Sequence, residues 1–203
     1  MTTYKIRTPV YDASMLRVGD TVYIDGLVFT ARDRAHRLIL GMLERGESLP
    51  FDPRGLVLYH CGPVARRTPR GWEILAAGPT TSTRMEPLEP RFLEATGVRL
   101  LAGKGGVGPG TREALRRLRG AYLVYPGGAA VLAAEAVEEV VDVYWLEELG
   151  MADAVWLLRV KGLGPMVVAA DAHGGYLYSR GPRLGEALEK ALRGLRALME
   201  ARL

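Results

Sequence analysis

Only one cysteine, Cys61, stands in a chain of 203 residues. That excludes an intramolecular disulfide. One thiol also falls short of the three or four protein ligands that a zinc or iron–sulfur site uses. The three histidines, His36, His60 and His173, show no metal-ligand spacing, so a self-contained metal site is not expected. Asparagine and glutamine are missing altogether, and only four of the 27 basic residues are lysines: Lys5, Lys104, Lys161 and Lys190. Loss of heat-labile amides is a trend of thermophile proteins, although a GC-rich genome favours arginine too. Aromatics make up 7% and form no stripe with basic residues. The net charge of +4 therefore reads as a solvated basic surface, with arginines scattered in short pairs such as Arg66-Arg67 and Arg116-Arg117, and not as a nucleic-acid face. No apolar run reaches bilayer-spanning length, and the N-terminus lacks the apolar core of a signal peptide. A cytoplasmic protein is expected.

What is present suits an ordinary globular core: 48% hydrophobic and 25% charged residues. Residues 18 to 31 read as two strands around the hairpin dipeptide Asp25-Gly26. Arg32 to Arg45 carries Ala35, Leu38, Ile39, Met42 and Leu43 at helical spacing. Strands are expected at 56–60, 72–76, 98–102, 121–125, 140–146, 154–160 and 165–170, with a Pro- and Arg-rich loop between the first two. A turn is expected at Gly174-Gly175, before Tyr176 to Tyr178. Helices are expected within 82–96, at 111–119 and from Gly127-Gly128 to about Val137. A long amphipathic helix should close the chain at 183–203. There is no repeat, low-complexity tract or linker, so a single mixed α/β domain over residues 1–203 is the simplest architecture.

Three segments carry the chemistry. Gly78-Pro79-Thr80-Thr81-Ser82-Thr83-Arg84-Met85 begins at a strand end, where ligands commonly bind in α/β sheets. Its hydroxyls and guanidinium exceed what one helix cap needs. They suit an anion with carboxylate and hydroxyl groups, because a guanidinium fork matches a carboxylate in two places. Arg32 stands at a strand-to-helix junction; taken alone, its surroundings favour pairing with Asp33, Glu44 or solvent over a carboxylate grip. Lys104 lies in Gly103-Lys104-Gly105-Gly106-Val107-Gly108-Pro109-Gly110-Thr111. This loop invites a phosphate-binding reading, but Gly105 stands where Ser or Thr should follow the lysine, so an ATPase is disfavoured. Gly127-Gly128 reads as close packing, Asp171 as a turn residue, and Cys61 as an inert buried thiol.

In order along the chain, these blocks resemble the beta subunit, or C-terminal domain, of class I iron–sulfur fumarases and L-tartrate dehydratases. The resemblance rests on Val18-Gly19-Asp20, Ala31-Arg32-Asp33-Arg34-Ala35-His36, Gly62-Pro63-Val64, the Gly78 to Met85 block, Gly103 to Gly106, Gly127 to Ala130 and Glu148-Leu149-Gly150-Met151. It implies an α/β, single mixed-sheet domain of the swivelling β/β/α type. It also implies an alpha subunit, in an α2β2 assembly, that carries a 4Fe–4S cluster not ligated by this chain. Residues matching Arg32, Arg84 and Lys104 bind substrate carboxylates in that family, and Thr81 is added here as substrate-binding. The residue matching Thr80 takes the carbon-bound proton, which a hydroxyl does poorly without a cationic pocket or a second base. The expected activity is reversible hydration of fumarate to malate. L-tartrate dehydration, or a non-catalytic anion-binding module on the same fold, are the alternatives.

Overall fold

Alternation along each strand between two apolar environments organises the molecule. The computed structural model describes residues 1–69 and 71–179; the helix expected at 183–203 lies outside the described residues. The strands are β1 (Thr3–Arg7), β2 (Thr21–Thr30), β3 (Val57–Tyr59), β4 (Val64–Thr68), β5 (Gly71–Ala76), β6 (Leu100–Gly103), β7 (Ala121–Val124), β8 (Val137–Tyr144) and β9 (Val155–Ala170). The helices are α1 (Asp33–Glu44), α2 (Glu89–Thr96), α3 (Pro109–Arg117), α4 (Ala130–Glu135) and α5 (Leu146–Leu149), with a 3-10 turn at Ser82–Met85. Among the described residues, no helix is long and apolar enough to cross a membrane.

β1, β2, β3, β6 and β7 run parallel in that order. β9 runs antiparallel to both β7 and β2, so the sheet bends round and closes through β2, β3, β6, β7 and β9. β8 adds to β9, and β4 with β5 forms a separate ribbon. The mixed α/β class is thus as expected. Val57, Tyr59, Leu100, Ala102, Ala121 and Leu123 point into the closed sheet with Trp156 and Leu158. Their neighbours Leu58, Leu101 and Tyr122 point outward, beneath α1, α2 and α3. Burial on both faces is why these parallel strands read as unbroken apolar runs.

Three expectations are corrected. Asp25-Gly26 is not a hairpin: β2 runs straight through it, because β1 pairs on one side and β9 on the other. The glycine, at φ +99°, absorbs a β-bulge instead of a turn. Strands expected separately at 154–160 and 165–170 are one strand, β9. Gly164-Pro165 falls in a second bulge against Tyr23, where a missing N–H leaves no ladder bond unmade. The Pro- and Arg-rich stretch contains β4, whose Arg66 pairs with Glu73 across the ribbon at 2.7 Å.

Candidate functional site

The parallel strands all end on one edge. Arg32 follows β2, His60 and Cys61 follow β3, Lys104 follows β6, and Gly127 follows β7. The hydroxyl segment is laid across this edge as an added rung between β3 and β6. Cys61 bridges Pro79, and Thr81 bridges Lys104. The Thr80 amide donates to the His60 carbonyl at 2.6 Å, the Lys104 amide to the Thr80 carbonyl at 3.1 Å, and the Ser82 amide to the Lys104 carbonyl at 3.0 Å. Residues far apart in sequence are fixed side by side through main-chain bonds, which do not depend on side-chain identity.

Each cation is placed by a specific neighbour. The Arg32 side chain lies over Gly62: a Cβ there would come within 2.7 Å of Arg32 Nη1 and 2.5 Å of the Ala152 carbonyl. Arg32 Nε is 3.5 Å from Asp153 Oδ1, so its partner is Asp153, not the Asp33 or Glu44 read from the sequence. Asp33 is taken by Arg84, whose Nη2 donates to Asp33 Oδ2 at 2.6 Å. Burial raises the Asp33 carboxyl, but the Arg84 hydrogen bond and the Arg84 and Arg32 charges outweigh it and hold the group below the usual carboxylate range. Adjacent residues of one helix start thus link Arg32 and Arg84. The stem of Lys104 runs past Gly127, where a Cβ would meet Lys104 Cδ at 2.9 Å. Among the described residues Lys104 makes no ion pair. The edge is open: Arg84 is 50% exposed, and Thr81 is exposed.

The glycine loop after Lys104 is already filled. Glu86 accepts from the amides of Gly108 (2.8 Å), Gly110 (2.8 Å) and Thr111 (3.2 Å) and from the Thr111 hydroxyl (2.6 Å). An internal carboxylate therefore occupies the helix-start position a phosphate would need. This removes the nucleotide reading. Asp171 accepts from the amides of Val18, His173 and Gly175, the turn role expected of it.

One cluster was not legible in the sequence. Strand alternation turns His60 outward, away from Tyr59 and Cys61, into the layer between β3 and the helices. There it meets Glu89 of α2 and His36 of α1. Glu89 Oε2 lies 2.8 Å from His60 Nε2 and 3.3 Å from His36 Nε2, and all three side chains are at most 1% exposed. Burial raises the Glu89 carboxyl, but the charges of His60 and His36 outweigh it and bring it down to about 2. His36 Nδ1 is 2.8 Å from the Arg32 carbonyl, and His60 Nδ1 is 2.9 Å from Ser82 Oγ. Positions 36, 60 and 89 follow no ligand spacing; only the packing of two helices on one strand joins them.

Among the described residues, the one thiol is that of Cys61. Cys61 is fully buried, and burial pushes its thiol well above the usual range. An isolated, protonated thiol does not bind a cluster iron.

A single mixed-sheet α/β domain with a row of cations and hydroxyls on its strand-end edge is the class that these observations define. The chain belongs to the Fumarase C-terminus family, whose model matches residues 6–181. It is 41% identical over 181 residues to the L(+)-tartrate dehydratase subunit beta of Escherichia coli K12, covering 88% of each chain. It is 42% identical over 167 residues to a putative L(+)-tartrate dehydratase subunit beta of Methanocaldococcus jannaschii, covering 82% of this chain and 86% of that one. A putative class I fumarate hydratase of Geobacillus stearothermophilus matches at 42% over 164 residues, 80% of this chain but 30% of that protein.

Proposed function

We propose that this chain is the beta subunit of a two-component hydro-lyase acting on a four-carbon hydroxy-diacid. The observation that carries the reading is the open edge itself. In this reading Arg32, Arg84 and Lys104 flank Thr80 and Thr81 there, in a chain similar over nearly its whole length to subunits named as beta. Ligand sites normally enclose most of their ligand. A diacid held by a half-exposed Arg84 needs a second surface above it, and an alpha subunit supplies that cover in this reading. The 4Fe–4S cluster belongs to that subunit, in a cytoplasmic α2β2 assembly.

The relatives' names favour L-tartrate over the fumarate expected from resemblance. Dehydrating tartrate removes a hydroxyl from one carbon and a proton from its neighbour. The enol formed becomes oxaloacetate. In the proposed site, loss of that proton builds charge on the adjacent carboxylate, which the arginines and Lys104 meet as it forms. Thr80 sits between the His60 and Lys104 main chains, beside these cations. It is the proposed proton acceptor.

The test is to copurify the chain anaerobically with a cysteine-bearing neighbour and assay L-tartrate, fumarate and malate. Tartrate turnover well above fumarate hydration supports the reading. Preferred fumarate hydration moves it to the fumarase alternative, and diacid binding without turnover moves it to the non-catalytic module.

A further inference from the structure

We propose that His36, Glu89 and His60 form a buried positioning unit that holds the two halves of the anion-binding edge in register. This rests on the site assigned above and names residues that no part of that site includes. On one side the unit touches the Arg32 carbonyl through His36 Nδ1 at 2.8 Å. On the other it touches Ser82 Oγ through His60 Nδ1 at 2.9 Å, and the His60 carbonyl receives the Thr80 amide at 2.6 Å. Tyr122 Oη, 3.0 Å from Ser82 Oγ and 3.0 Å from the Gly105 carbonyl, extends the chain of contacts to the loop of Lys104. The Arg32 and Thr80–Ser82 segments are therefore two contacts from Glu89, and the Ser82 amide carries the connection one step further to the Lys104 carbonyl.

A carbonyl only accepts, so His36 Nδ1 carries a hydrogen. Glu89 faces both imidazoles at ion-pair distance, so the buried carboxylate has its countercharge within the unit, which is the condition for burying it at tolerable cost. The same three groups are also close enough together to hold a metal ion, which the zinc content of the purified chain decides. A buried ion pair adds little net stability over apolar residues of the same volume, so its use is to fix one arrangement among several.

The experiment uses the copurified complex and three variants. Glu89→Gln keeps the shape and removes the charge. Ser82→Ala cuts only the link to the hydroxyl segment. A triple variant, His36→Leu with His60→Leu and Glu89→Met, replaces the unit by apolar volume. Glu89→Gln should raise KM for the diacid at least tenfold, with kcat falling less than threefold. Ser82→Ala should act in the same direction by three- to tenfold, and remains informative if Glu89→Gln does not fold. The triple variant should regain thermal stability relative to Glu89→Gln without regaining KM. Amide hydrogen exchange on the chain should quicken at Thr80–Ser82 and Asp33 in Glu89→Gln, and stay unchanged in β6 and β7. That readout needs no turnover, so it separates failure of this proposal from failure of the proposed activity. Wild-type KM in Glu89→Gln or in a folded triple variant would overturn the positioning role. So would unaltered exchange at Thr80–Ser82, or one equivalent of tightly bound zinc in the purified chain.

Discussion

Lys104 donates its main-chain amide to the carbonyl of Thr80 at 3.1 Å. The two residues with the most demanding proposed roles are thus joined by a rung of the sheet and not by their side chains. Either side chain can be removed without breaking the rung.

Lys104→Ala and Arg84→Ala should therefore separate activity from folding. Removing a charged donor that meets a developing carboxylate charge costs about 3 kcal/mol in the transition state, or roughly a hundredfold in turnover. Both side chains sit at an open edge, so the melting temperature should move by less than about 3 °C. Near-normal turnover of the reconstituted pair in either variant would remove that residue from the site.

Gly127→Ala offers a subtler test of Lys104. The added methyl would stand 2.9 Å from Lys104 Cδ and meets no main-chain atom at that distance. The fold can yield by moving one flexible side chain, so stability should change by under about 1 kcal/mol. The ammonium moves with its stem. A fall of about tenfold in kcat/KM is expected, since small misplacements of a binding group are costly. An unchanged kcat/KM would show that the Lys104 head group is not held by this packing.

Legibility in the sequence followed the range of the interactions. Helix α1 and the parallel strands were readable because apolar spacing is local. Gly26 and Gly164-Pro165 misled because they sit in bulges opposite a distant partner, and a turn and a bulge ask for the same residues. The resemblance pointed to Thr80, Arg84 and Lys104; a main-chain bond joins Thr80 to Lys104, and Arg84 is tied to Asp33. Neither composition nor spacing could join His36, His60 and Glu89. Their meeting depends on which way a strand residue faces and on which helix turns face it. Glu86 was likewise invisible: its part in filling the glycine loop needs the 3-10 turn to fold back on α3.

Glu86→Ala should cost about 1–3 kcal/mol, because it strands donors at the start of α3 and removes a carboxylate from a helix N-terminus. Urea unfolding of the purified chain measures it directly. Equilibrium dialysis with ATP should show no binding by the wild-type chain. ATP binding that depends on Lys104 would contradict the self-filled loop.

Cys61→Ala should retain turnover within about threefold and lose about 1 kcal/mol of stability, as expected for a small buried hydrophobe. The thiol should resist a disulfide reagent in the native chain and react once the chain is unfolded, because burial holds it protonated. Rapid reaction in the native state, or loss of cluster from the complex in the alanine variant, would mean that the thiol reaches the active centre.

The last prediction concerns acid. Glu89 falls from an ordinary value of 4.5 in the unfolded chain to about 2 in the folded one, where His60 and His36 overcome the cost of burial. A folded value below the unfolded one stabilises the protein above the unfolded value. That stability is lost as pH falls toward the folded value. The contribution is on the order of 3 kcal/mol at full strength. The window is therefore pH 4.5 down to about 2. Urea unfolding of wild type and Glu89→Gln should differ most at pH 5 to 6, and the gap should narrow steadily toward pH 2. A gap that is flat from pH 6 to pH 2 would show that Glu89 is not ionised in the folded chain. The buried ion pairs of Glu89 with His36 and His60 would then be absent, and the charge assigned to the unit would fail.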